Sequence, residues 1–136
     1  MAGVDVRIAE AEAALVTLDE AIGKSTRSLL ERDGAILRLI YTFEAVWKAS
    51  QQLLAEREGI TVASPNATIR AARRVGWLSD EDARAAFDIG TDRNVAVHMY
   101  RGEIGAEIER HLAGHAALLR RWVAVLRQRK ETEQLS

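Results

Sequence analysis

The sequence predicts an all-α fold, an up-and-down bundle of four or five helices. Three observations carry this. A single proline interrupts 136 residues, so little in the chain forbids helix. Apolar residues recur at spacings of three and four, with no β-type alternation. Two serines, Ser64 and Ser79, stand directly before helix-forming runs, where a hydroxyl can cap the first free amides.

The elements follow in order. Ile8, Ala11, Leu15, Leu18 and Ile22 step along one face of a first helix, which Gly23 and Ser25-Thr26 end. Ile36, Ile40, Phe43, Trp47 and Leu54 mark a longer second helix over residues 28–57, and 59–64 reads as a loop. Ser64 caps a third helix, and Pro65 takes its first position, where no amide is needed. That helix is short and stops near Gly76. Ser79 caps a fourth, whose first-turn acids Asp80, Glu81 and Asp82 oppose the helix dipole. Gly90 lies inside it and is expected to weaken or kink it. Gly102 reads as the residue that closes it. Ile104, Ile108, Leu112, Leu119, Trp122 and Leu126 form the stripe of a last helix over residues 103–127. Residues 1–128 thus form a single bundle, and 129–136 a polar, frayed tail. Phe43, Trp47, Trp77 and Trp122 are expected in the core. The stripes of the first, second and last helices are wide enough to share that core and to offer a seam to a second subunit.

Composition narrows the functional classes. The chain is 48% hydrophobic and 29% charged, as a globular domain is. It has no cysteine, which excludes disulfides and thiolate metal sites and suits a reducing cytoplasm. No apolar run is long enough for a membrane span or a signal segment. A net charge of −1 argues against a broad nucleic-acid-binding surface, though not against a local basic site. Two basic clusters occur, at Arg70, Arg73 and Arg74 and at Arg120, Arg121, Arg127, Arg129 and Lys130; both read first as solvated helix surface. No glycine-rich phosphate loop or dinucleotide fingerprint is present, so no cofactor is expected.

The chemistry concentrates in the octapeptide Arg93-Asn94-Val95-Ala96-Val97-His98-Met99-Tyr100. With Arg93 at zero on a helical wheel, Asn94 lies at about 100°, His98 at about 140° and Tyr100 at about 340°. Only Val97 interrupts this polar side, while Val95, Ala96 and Met99 fall on a core face. Arginine is always charged and fits a phosphate; histidine titrates near neutrality and moves protons. Together they suffice for cleaving RNA without a metal. The spacing alone is not specific, because Arg110 and His115 repeat it. That second pair lacks the asparagine and has Ala117 where the tyrosine would stand. His115 also lies in an apolar stripe and reads as a packing residue. His111 and His115, four apart, could hold a metal, but the sequence suggests no third ligand beside them, so no metal site is expected.

Three blocks resemble the HEPN domains, specifically the nucleotidyltransferase substrate-binding protein family. They are Arg32-Asp33-Gly34-Ala35-Ile36 leading through Arg38 into Tyr41-Thr42-Phe43-Glu44-Ala45-Val46-Trp47-Lys48; Ser64-Pro65 before Arg70-Ala71-Ala72; and Asp92-Arg93-Asn94 followed by His98 and Tyr100. The likeness spans residues 28–112. The chain departs from the family pattern at Leu37, Leu39 and Ile40, where polar or aromatic residues are usual, and at Gly90-Thr91.

The resemblance implies a homodimeric HEPN-like bundle with Arg93 and His98 at the dimer cleft. It implies a partner, a minimal nucleotidyltransferase acting as antitoxin. In the toxin–antitoxin branch such a protein is a metal-independent ribonuclease, silenced when the partner adds AMP to the motif tyrosine, here Tyr100. RNA supplies its own 2′-hydroxyl nucleophile, so a dimer contributes one His98 as base and the other as acid, with Arg93 on the phosphate and Asn94 orienting the ring. The products are then a 2′,3′-cyclic phosphate and a 5′-hydroxyl. The competing expectation is a non-catalytic substrate-binding or partner subunit of a nucleotidyltransferase. A third is a plain helical dimerisation domain.

Overall fold

Serine hydroxyls fix three of the helix starts. In the computed structural model, which describes residues 3–135, Ser28 Oγ accepts from the Glu31 amide at 3.1 Å and Glu31 reaches back to the Ser28 amide at 2.9 Å. Ser64 caps through the Ala67 amide at 3.2 Å and Ser79 through the Asp82 amide at 3.0 Å. Each hydroxyl satisfies an amide that the helix itself leaves free. The resulting elements are α1 (Val4–Ile22), α2 (Leu29–Leu53) continuing into a π-helical turn (Leu54–Glu58), α3 (Pro65–Arg74), α4 (Asp80–Met99) and α5 (Gly102–Leu135). No strand occurs among the described residues. None of their helices is long and apolar enough to cross a membrane.

Positive backbone angles at Gly59 (φ 66°) and Gly76 (φ 84°) let the chain leave the π turn and α3, a conformation that a side chain would strain. Gly102 takes no such conformation. It is the first residue of α5, and Tyr100 ends α4 in extended backbone. Gly90 does not break α4, which runs through it against Phe43.

Polar cross-links give the topology. Arg7 meets Gln52, and Thr42 meets the Ala14 carbonyl, so α1 and α2 are antiparallel. Asp19 pairs with Arg120, and Glu12 with Arg127, so α1 and α5 are antiparallel too. Trp122 donates to Ser50 at 3.3 Å, which sets α5 along α2. Asp82 pairs with Arg121, and Asp92 meets His111, so α4 runs antiparallel to α5. The core between them holds Ile8, Leu18, Leu39, Phe43, Leu53, Ile69, Ile89, Ile108, Leu112 and Trp122, each fully buried. Trp47 and Trp77 are buried as well. Burying an apolar side chain of this size contributes about 1.5–3 kcal/mol.

Residues 129–135 of the expected frayed tail are instead helix, and Ser136 lies outside the described residues. α5 continues to Leu135 because Lys130 is buried and pairs with Asp5, while Arg57 donates to the Lys130 carbonyl at 3.4 Å. Arg120, Arg121 and Arg127 are likewise engaged by Asp19, Asp82 and Glu12. That basic cluster is therefore mostly an inter-helix clamp.

Candidate functional site

The last two turns of α4 carry the octapeptide along α2. Arg93, half-buried, places Nε 3.3 Å from Glu44 Oε1 and donates from a terminal nitrogen to Asn94 Oδ1 at 3.1 Å. Glu44 is itself held by Trp47 Nε1 at 3.2 Å. The ion pair and the Asn94 bond thus place the guanidinium on the rim of a pocket of about 290 Å³, lined by Phe43, Trp47, Pro65, Asn66 and Gly90. A fixed fork loses less entropy on meeting a phosphate than a free one.

His98 lies one turn and a half further along α4. It is exposed and makes no hydrogen bond or ion pair with any described residue. The single chain therefore brings Arg93 and Asn94 together but not His98. Asn94, expected to orient the imidazole, has its carbonyl taken by Arg93. Met99, expected on the core face, is 56% exposed, and Val97 is 51% exposed. The wheel gives the face of the helix but not the place where the bundle beneath it ends.

Tyr100 closes α4 and folds back over the start of α2. Its hydroxyl donates to Asp33 and accepts from Arg32 at 3.5 Å. A Cβ at Gly105 would come within 2.5 Å of that hydroxyl and 2.7 Å of the Arg32 guanidinium, so the glycine leaves room for both. Partial burial, and then the hydrogen bond to the Asp33 carboxylate, push the phenol above its ordinary pKa of 10.0. Sequence reasoning gave no role to Glu44, Arg32 or Asp33. All three stand in the blocks that carry the family likeness, but nothing local marks them as partners of the motif.

On another side of α4, Asp92 Oδ2 lies 2.8 Å from His111 Nδ1 and 2.7 Å from His115 Nε2. The third group that the sequence did not suggest beside the two histidines is therefore present, from a different helix. His115 is buried against α4. Its replacement by alanine removes both packing and one of the two contacts to Asp92, and is expected to cost about 1–3 kcal/mol. A lowered midpoint in chemical denaturation checks this.

The family model for nucleotidyltransferase substrate-binding-like proteins matches residues 6–132. Among solved structures, a protein of Thermus thermophilus is 46% identical with a TM-score of 0.82, over 86% of this chain and 98% of that one. A tri-AMPylated Shewanella oneidensis HEPN toxin in complex with an MNT antitoxin gives 15% identity and a TM-score of 0.73, over 92% and 96% of the two chains. A mutant of the toxin–antitoxin MntA–HpeT gives 16% and 0.77, over 92% and 97%. The last two share the fold. No significant match is found among curated proteins. By the extent of the family match and the Thermus relative, the chain belongs to the nucleotidyltransferase substrate-binding-like family.

Proposed function

We propose that the chain is a HEPN-type ribonuclease toxin of the cytoplasm, active as a homodimer and silenced by a minimal nucleotidyltransferase that attaches AMP to Tyr100. The observation that carries this is the state of the motif: Arg93 is ion-paired with Glu44 and bonded to Asn94, while His98 is exposed and unengaged. A histidine with no structural partner, one turn and a half along the same helix from an ion-paired arginine, suits proton transfer at a phosphate. The shared fold of the AMPylated Shewanella toxin supports the same reading.

In the dimer, one His98 takes the proton of the RNA 2′-hydroxyl as its oxygen attacks phosphorus. The bond to the 5′-oxygen breaks, and the second His98 protonates that leaving oxygen. Arg93 stabilises the extra charge of the five-coordinate state. No step is assigned to a metal.

An unfinished apolar surface supports the second subunit. Leu30, Leu37 and Tyr41 are exposed at spacings of seven and four on α2, and Val97 and Met99 are exposed at the end of α4. Adjacent exposed apolar side chains of this kind mark an interface. Light scattering is expected to give twice the 15.0 kDa of the chain, and Leu37→Asp to give monomers without cleavage. A wild-type monomer at micromolar concentration contradicts the two-histidine reaction.

Expression without the partner enzyme tests the function directly. Growth arrest, with RNA fragments ending in a 2′,3′-cyclic phosphate, is the expected result. A nucleotidyltransferase complex that forms without arrest or cleavage favours the non-catalytic partner subunit.

A further inference from the structure

We propose that Asp92, His111 and His115 form a binding site for a divalent transition metal, with zinc the best match to the donors. His111 and His115 are four residues apart on α5 and so project from one face. Asp92 meets them from antiparallel α4. One ring nitrogen of each histidine points at the same carboxylate oxygen, at 2.8 and 2.7 Å, and the three candidate ligand atoms all lie within 4.8 Å of one another.

A four-coordinate zinc ion with ligands at about 2.0–2.2 Å holds them roughly 3.2–3.6 Å apart. The two contacts to Asp92 thus need to open by about 0.4–0.9 Å, and the two histidine nitrogens, within 4.8 Å of each other, need to settle at the same ligand separation to admit the ion. The His111 side chain is 42% exposed and is free to make that movement. Each nitrogen must then present its lone pair rather than a proton to the ion.

The donor set selects the ion. Two imidazoles and one carboxylate suit zinc, cobalt or nickel, whereas magnesium and calcium favour oxygen donors. A fourth position is open. The cluster borders a pocket of about 400 Å³ that also contains Ala85, Asp88, Thr91 and Gly114. Asp88 stands one turn before Asp92 on the same side of α4, where it can add a ligand directly or through water.

The site lies apart from the cleavage reaction. Arg93 lines a different pocket, with Glu44 and Asn94, although Asp92 is its neighbour in the chain. An ion bound to Asp92, His111 and His115 would tie α4 to α5 directly behind the motif and stiffen the helix that presents Arg93.

The test uses the full chain, stripped with a chelator and dialysed. Titration with Co²⁺ is expected to give visible absorption typical of a low-coordinate nitrogen–oxygen site, saturating at one ion per chain and bleached by Zn²⁺. Calorimetry with Zn²⁺ should give the same stoichiometry, and Zn²⁺ should raise the melting temperature. His111→Ala, at an exposed position that leaves folding intact, should weaken binding by at least about tenfold and remove the thermal shift. Asp92→Asn should do the same. Absence of a cobalt spectrum and of zinc heat overturns the proposal. So does undiminished binding in His111→Ala, or loss of binding in His98→Ala, which would put the ion elsewhere.

Discussion

Replacing His98 by alanine is expected to abolish RNA cleavage and growth arrest while leaving helicity and dimer mass unchanged. The two halves of this result have separate causes. The side chain is exposed and holds no partner among the described residues, so its loss opens no cavity and orphans no buried group. Such surface substitutions change stability by less than about 0.5 kcal/mol. Loss of a general acid or base costs about 10²–10⁴-fold in rate, and in a symmetric dimer one substitution removes both. Arg93→Lys is expected to fail as well. The guanidinium is set by two contacts made from different nitrogens, to Glu44 and Asn94, and an ammonium on a flexible stem reproduces neither the geometry nor the fork. Circular dichroism, light scattering and cleavage of a defined RNA check the set together. Cleavage that survives His98→Ala but is lost in His115→Ala would show that the other arginine–histidine pair carries the chemistry.

Local chemistry was legible in the sequence; pairing between distant helices was not. The Ser64 and Ser79 caps could be read because a cap and the amide it satisfies are three residues apart. The apolar stripes could be read because a helix repeats its face within four residues. The extension of α5 past residue 127 was hidden, because the tail looks polar until Asp5 of α1 stands beside Lys130. The same reason hid the surroundings of the motif. Glu44, Asp33 and Asp92 are ordinary acids on their own helices, and only the antiparallel packing of α4 brings Arg93, Tyr100 and the two histidines to them. Periodicity also cannot say where a core stops, so Met99 falls on the core face of the helical wheel and yet stands exposed.

Tyr100→Phe is expected to remain a toxic ribonuclease that its partner can no longer silence. The substitution removes one oxygen and keeps the ring, which is 39% exposed and lies beyond the helix end, so the fold and the Arg93–His98 pair should be undisturbed. On the proposed reading, what it removes is the acceptor of the AMP group. In the proposed transfer, the phenol oxygen would attack the α-phosphorus of ATP, the bond to pyrophosphate would break, and the phenol proton would have to leave. Asp33 already accepts that proton in a hydrogen bond. Burial and the Asp33 carboxylate hold the phenol above its ordinary pKa, so a base in hydrogen-bond contact favours the transfer. The attached phosphodiester would sit beside Arg32, whose guanidinium is 3.5 Å from the hydroxyl, and its charge would repel the RNA backbone approaching Arg93. The nucleobase would then fill the space that the RNA strand needs. Co-expression with the partner enzyme, followed by intact-mass measurement, should show whole AMP increments on the wild-type chain and none on the phenylalanine variant, with growth arrest persisting only in the variant. Unmodified wild-type protein in a silent complex, or AMP still added to Tyr100→Phe, would replace covalent silencing with simple occlusion of the cleft or with another acceptor residue.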